Sequence, residues 1–244
     1  MSDFIDTHGA SIASGDTLSP AADTAAAPNA FEALGLAPEL VSAVADLGYV
    51  EPTQVQGQVI PKATQAGGEQ GRYADLMVSS QTGSGKTAAF LLPVLHTLIQ
   101  QQTERAAQER AERERMVAEA IARGEAPPKA PKRKNPTLAR NFKAATPGAL
   151  VLCPTRELAQ QVAHDAIDLV RHCRGLRIAS VVGGMPYQVQ IARLQNADLV
   201  VATPGRLLDL QRSMQLKLDQ VQFLVVDEAD RMLDLGFADD LAAI

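Results

Sequence analysis

Five short apolar runs recur along the chain, at Asp75–Ser80, Ala149–Cys153, Arg177–Val182, Asp198–Thr203 and Gln222–Asp227. They are rich in Val and Leu and nearly continuous rather than alternating, the pattern of strands covered on both faces. Between them the apolar positions shift to a helical period at Lys86–Gln101, Arg156–Cys173, Tyr187–Leu194 and Gly205–Gln211. Strands alternating with helices predict βαβ units, hence an α/β fold with a mainly parallel sheet covered by helices on both faces. No internal repeat interrupts this order.

Two stretches depart from it. Residues 1–30 carry four Asp and no Lys or Arg, with few large apolar residues and no sustained period, which reads as a disordered acidic tail. Residues 101–147 hold 11 Lys and Arg against 6 Glu, so they form a charged insertion. Its first part pairs Arg105/Glu109, Glu109/Arg113, Arg110/Glu114 and Arg115/Glu119 at i, i+4, the mark of a solvated helix from Glu104 to Arg123. Its second part, Lys129–Lys143, has six bases and no acid, and four prolines block helix from Pro127 to Pro136. That segment predicts an extended loop, either a solubilising insertion or a tether for a nucleic-acid backbone.

Composition narrows the class. The chain has 244 residues, is 46% hydrophobic and carries a net charge of −5. A chain of this size buries roughly 70% of its unfolded surface, enough for its own core. The longest apolar run, Ala88–Leu95, contains Pro93 and falls far short of a membrane span, and the N-terminus has no secretory pattern. Cys153 and Cys173 make neither a disulfide framework nor a metal cluster. They read as small buried hydrophobes in a reducing compartment, so a cytoplasmic setting without membrane contact is expected. His8, His96, His164 and His172 have no metal-ligand spacing and are expected to be structural or on the surface.

The strongest chemical signal is Ser79-Ser80-Gln81-Thr82-Gly83-Ser84-Gly85-Lys86-Thr87, which follows an expected strand and opens an expected helix. That is the context of a Walker A phosphate loop. Gly83 and Gly85 let backbone N–H groups converge on a phosphate chain at a helix N-terminus. Residues Ser80 to Thr87 therefore form the candidate nucleotide cradle, with Lys86 reaching the terminal phosphates and the Thr87 hydroxyl on Mg²⁺. Ser80 stands where such loops usually open with Gly or Ala. The other half of a nucleoside-triphosphatase site is supplied by Val225-Val226-Asp227-Glu228, a carboxylate pair at the end of a buried strand. Asp227 suits Mg²⁺, and Glu228 suits the polarisation of an attacking water.

At Asp227-Glu228-Ala229-Asp230 the sequence resembles the DEAD-box ATP-dependent RNA helicases, over roughly Phe31 to Ile244 and in the first of their two RecA-like domains. Gly48-Tyr49-Val50-Glu51-Pro52-Thr53-Gln54-Val55-Gln56 is similar to the family's Q motif, and Phe31 lies 17 residues before Gly48, where the family places an isolated aromatic. The resemblance implies that Gln56 reads the adenine edge and Phe31 stacks on the base of ATP. Taken alone, Phe31 reads as a core anchor and Gln56 as a surface residue. Three further motifs resemble the family's RNA-facing set: Pro154-Thr155-Arg156, Gly183-Gly184 and Thr203-Pro204-Gly205-Arg206. The first and third also read as helix starts, with Thr155 and Thr203 as N-caps and Pro204 at the first helical position. Strand-to-helix junctions of an open sheet align at its carboxyl edge, so both readings can hold. N–H groups, hydroxyls and two Arg suit phosphate contacts, implying RNA binding without sequence preference.

The family's Ser-Ala-Thr motif and second RecA-like domain are absent from these 244 residues. In the family, ATP sits between the two domains, and arginines from the second can be worth roughly 10³–10⁵ in rate. The expectation is that these residues bind nucleotide and RNA but barely turn over, whereas the complete protein unwinds short duplexes. The alternative is a non-catalytic nucleotide- or RNA-binding module. A second, smaller insertion, Gly67–Tyr73, lengthens the approach to the phosphate loop.

Overall fold

The computed structural model describes residues 29–65, 73–126 and 143–244. The expected acidic tail falls outside them except for its last two positions, as do most of the Gly67–Tyr73 insertion and all of the basic segment but Lys143. Four strands, β1 (Ala149–Leu152), β2 (Ile178–Val181), β3 (Leu199–Ala202) and β4 (Phe223–Val226), form one parallel sheet in the order β2-β3-β1-β4. Each lies inside the apolar run that predicted it. The register pairs Ala149 with Leu199 and with Phe223, and Ile178 with Leu199, so all four strands end level at their carboxyl edge.

Alternate residues of the central strands feed two separate cores. Ala149, Val151, Cys153, Leu199 and Val201 face one side, where they meet α1 (Pro38–Asp46), α3 (Lys86–Ala122) and α4 (Arg156–Leu169). Leu150, Leu152, Val200 and Ala202 face the other, against α5 (Tyr187–Leu194), α6 (Pro204–Arg212) and α7 (Ala229–Asp234). The sheet is thus the middle layer of three, and its continuous apolar strands are explained by burial on both faces. α2 (Gln54–Thr64) packs on α3, and α8 (Ala238–Ala243) packs on α6.

Three expectations change. Asp75–Ser80 is not a strand: it is irregular, and Leu76, Met77 and Val78 are exposed. An apolar run becomes a strand only when a neighbour supplies the hydrogen-bond ladder, and among the described residues none does. The Tyr73 and Phe223 rings, 4.7 Å apart, bring the segment beside β4, whose outer side is open and leaves Leu224 and Val226 exposed. Second, the two helices expected at Lys86–Gln101 and Glu104–Arg123 are one helix of 37 residues. Its first half is packed from Ala88 to Ile99, while residues 103–116 are exposed throughout. Of the expected ion pairs on this arm, Arg115–Glu119 forms at 3.9 Å, and Arg123 also reaches Glu119 at 3.0 Å. Third, α4 stops at Leu169, because the Asp168 and Val170 carbonyls accept from Arg171 and Cys173 in tighter turns.

Candidate functional site

The phosphate loop begins α3. Gly85 is the N-cap residue of that helix and has φ +83°, a left-handed conformation costly for any other residue. A Cβ there would stand 2.5 Å from Nε2 of Gln56, so the position excludes a side chain twice over. Inside the loop, Lys86 Nζ donates to the Ser80 carbonyl at 2.6 Å, and the Ser80 and Ser84 hydroxyls bond at 2.7 Å. The lysine is folded back on its own loop, with its ammonium donating to the backbone carbonyl that opens the loop.

The segment ending at Gln56 closes over this loop. Thr53 caps α2 by a reciprocal pair: its hydroxyl accepts from Gln56 N–H, and Gln56 Oε1 accepts from Thr53 N–H. The same two side chains bond across, with Thr53 Oγ1 donating to Ser84 O at 2.9 Å and Gln56 Nε2 to Gly85 O at 3.2 Å. Gln56 is therefore buried, not a surface residue, and both ends of its amide are occupied. Each end of the amide has one further hydrogen-bonding site, a second N–H and a second lone pair, beyond these bonds. Phe31 is fully buried in the α1–α3 core, as its reading as a core anchor expects. The aromatic sits just before a short 3₁₀ turn, Glu32–Leu34, and its burial among aliphatic side chains outweighs any exposed position for it.

Asp227 and Glu228 follow β4 directly, and the Asp227 N–H donates to the Leu152 carbonyl, continuing the ladder. Burial, and then the neighbouring Glu228, push the Asp227 carboxyl above its ordinary range, with Lys86 among the groups pulling it back. Lys86 thus lies within electrostatic reach of Asp227. Glu228 has φ +50° and ψ +51°, a sparsely used conformation for a non-glycine residue, and Arg231 Nη1 holds its Oε2 at 3.0 Å. Beneath the pair, burial and both carboxylates push the Cys153 thiol up to about 12, which keeps it protonated and inert.

These donors fit a hard cation only in part. Asp227 and Thr87 supply oxygen, but among the described residues no group of three or more His, Cys, Asp or Glu is placed to hold a metal. Such a site takes Mg²⁺ together with the phosphates it arrives with, the usual arrangement for that ion.

The three remaining motifs meet at the same sheet edge. Thr155 caps α4, its hydroxyl accepting from Leu158 N–H at 3.3 Å. Thr203 occupies the N-cap position of α6 with Pro204 at its first residue, yet its side chain makes no capping bond, which corrects the expectation of a full cap there. Gly184, at φ +75°, lies under Arg156: a Cβ would meet Nη1 at 2.5 Å. Arg206 Nη2 reaches the Met185 carbonyl at 3.4 Å, and its guanidinium lies 5.8 Å from the Tyr187 ring centroid. Arg206 is thereby bonded to the loop after β2, and Arg156 lies against it at Gly184.

A family model described as "DEAD/DEAH box helicase" matches residues 53–244. The chain belongs to the DEAD/DEAH box helicase family. This helicase domain is 39% identical to the DEAD-box ATP-dependent RNA helicase 52A of Oryza sativa subsp. japonica, over 95% of the chain and 32% of that protein. It is 37% identical to the ATP-dependent RNA helicase DeaD of Escherichia coli (strain K12), over 88% of the chain and 26% of the relative. The chain therefore spans about a quarter to a third of these two relatives. Among solved structures, the RNA helicase Prp28 from Chaetomium thermophilum bound to ADP superposes with a TM-score of 0.62 at 34% identity, covering 87% of this chain and 41% of that one. Dbp5 of S. cerevisiae bound to RNA and ADP BeF3 gives 0.59 at 28%, covering 87% and 42%. These neighbours bear out the RecA-like reading of the three-layer sheet.

The helicase domain also uses residues that the motifs did not announce. Arg231, three residues after Glu228, holds the carboxylate. Gln190, fully buried on α5, bonds the loop at Gly183–Gly184. Its signal was in the sequence: it shares a helix face with Leu194, four residues on, where the period asks for an apolar residue.

Proposed function

We propose that residues 31–244 are the ATP- and RNA-binding RecA-like half of a DEAD-box RNA helicase, with 101–147 as an accessory insertion. In the complete enzyme, ATP hydrolysis would be coupled to local separation of RNA strands. One observation carries the reading. Asp227 and Glu228 stand at the carboxyl edge of the sheet with Lys86 in electrostatic reach of Asp227, and Thr155, Arg156, Gly184 and Arg206 line the same edge beyond β1, β2 and β3.

The chemistry follows from these positions. ATP binding replaces the bond from Lys86 to Ser80 O with one to phosphate, and the N–H groups at the start of α3 complete the cradle. Asp227 and Thr87 would hold Mg²⁺, which would supply charge neutralisation on the phosphates. Glu228 accepts the proton of the attacking water, and Arg231 fixes its carboxylate in one orientation. Gln56 recognises adenine through an amide that also bonds Gly85 O, so the base and the phosphate loop report on each other through one side chain. Arg156, Arg206 and the exposed backbone at Gly183–Gly184 take successive RNA phosphates, which carry no sequence information. A second RecA-like domain would complete the ATP site, so this chain alone binds both ligands and turns over slowly. The two free thiols, one buried, support a reducing, cytoplasmic setting as part of the same proposal.

The test is ATPase activity with and without RNA in a longer form that carries a second RecA-like domain. RNA-stimulated turnover that Glu228→Gln stops while sparing ATP binding supports the assignment. Turnover of that variant at the parent rate removes Glu228 as the base.

A further inference from the structure

Gln190 is fully buried, and its side chain bonds only to main chain. Its Oε1 accepts from Val182 N–H at 3.2 Å, and its Nε2 donates to the Val182 carbonyl at 2.9 Å and the Met185 carbonyl at 3.1 Å. Three of the amide's four hydrogen-bonding sites are thus satisfied by one turn of backbone, residues 182 to 185. A buried amide placed this way costs more to remove than its net worth, because it leaves the Val182 N–H and carbonyl without partners and the Met185 carbonyl with Arg206 alone.

That turn underlies both arginines of the proposed RNA surface. Arg156 rests against Gly184, and Arg206 bonds the same Met185 carbonyl that Gln190 holds from below. Gln190 faces away from solvent and touches neither guanidinium directly. Resting on the proposed RNA-binding reading, we infer that Gln190 is a positioning residue: it locks the Val182–Met185 turn so that Arg156 and Arg206 stand at the spacing of an RNA backbone. The middle of the turn is two adjacent glycines with no side chains, while Val182 and Met185 at its ends pack into the core, so the Gln190 bonds act on the stretch that side chains leave free. β2 ends at Val181, one residue before the first of these bonds, so the clamp begins where the sheet ladder stops.

The experiment uses the 244-residue chain and a short fluorescein-labelled single-stranded RNA of mixed sequence. Gln190→Met keeps length and volume but removes all three bonds. Leu194→Ala, on the same face of α5 and fully buried, serves as a control that destabilises without touching the turn. Gln190→Met should weaken RNA binding roughly tenfold, the scale of one or two charge-assisted contacts. The effect should vanish in an Arg156→Ala/Arg206→Ala background, as a double-mutant cycle requires of coupled groups. Binding of ADP with Mg²⁺ should not change, and Leu194→Ala should leave RNA affinity near the parent value at a temperature where both variants are folded. An equal loss in the arginine-free background, or a folded Gln190→Met that binds RNA like the parent, overturns the inference. If Gln190→Met does not fold, Gln190→Glu keeps the acceptor for Val182 N–H and loses both donated bonds, and the same comparisons apply. Hydrogen exchange separates this from the broader reading. Faster exchange at Val182 in the variant shows the clamp, and unchanged exchange refutes it. Absence of RNA binding by the parent chain instead refutes the RNA-binding assignment.

Discussion

Gly85 shows how one residue can carry two constraints. Its φ of +83° favours glycine, and the Gln56 amide lies 2.5 Å from where a Cβ would be. Gly85→Ala should therefore cost about 1–3 kcal/mol from backbone strain and also push Gln56 off the loop. The check is thermal unfolding together with ADP affinity, and both should fall; an unchanged melting temperature would contradict the packing described. His96 gives the pH dependence. It is buried and its Nδ1 accepts from the Ala37 N–H at 2.9 Å, which requires neutral imidazole, and burial lowers its pKa. A folded-state pKa below the unfolded one means that stability is complete above the ordinary histidine range and is lost as pH falls through it. Urea unfolding at pH 8 and pH 5 should show a smaller acid loss in His96→Gln, which still accepts but does not titrate. An equal loss in both proteins would exclude His96. At this scale the sequence was legible where chemistry has a fixed spacing, as in Gly83–Thr87. It placed Phe31 in the core but Gln56 on the surface, where the structure buries it, because the burial of a polar side chain depends on tertiary partners that no local pattern encodes.

Elements divide by what holds them. The first half of α3 is fixed by Leu91, Leu92 and Leu95, all fully buried, while residues 103–116 of its second half are exposed and Arg115 pairs with Glu119 of the same helix. Leu95→Ala should cost about 2–5 kcal/mol by leaving a cavity. Arg115→Ala should cost at most about 0.5 kcal/mol, because its ion pair is solvent-exposed. Chemical denaturation of the two variants measures the contrast, and similar losses would show that the arm is packed against the body. The four paired strands were readable because burial on both faces writes a continuous apolar run. Asp75–Ser80 has the same run without a ladder, since a strand's partner is not written in its own residues. The length of α3 was misjudged at the change from apolar to charged residues, but polarity does not end a helix. No Gly or Pro occurs between Pro93 and Gly124, so the backbone continues until that glycine.

For the whole molecule, the level carboxyl edge of the sheet is the organising fact. It brings the carboxylate pair and the RNA-facing motifs, spread over some 75 residues from Pro154 to Glu228, onto one rim, with Lys86 of the phosphate loop in electrostatic reach of Asp227. The net charge of −5 is compatible with RNA binding because the proposed contacts are local, anchored by Arg156 and Arg206. Lys86 is the group on which the nucleotide half of the account depends. Its loss removes a charge-assisted contact worth about 1.5–3 kcal/mol, or roughly ten- to hundredfold in affinity. The most direct measurement is isothermal titration of the 244-residue chain with ADP in the presence of Mg²⁺, beside GDP and beside Lys86→Ala. Saturable one-to-one binding that prefers ADP to GDP and collapses in Lys86→Ala is the predicted result. Absence of saturable binding in the parent chain, or equal binding by the folded Lys86→Ala variant, would contradict the assignment of this loop as an ATP site.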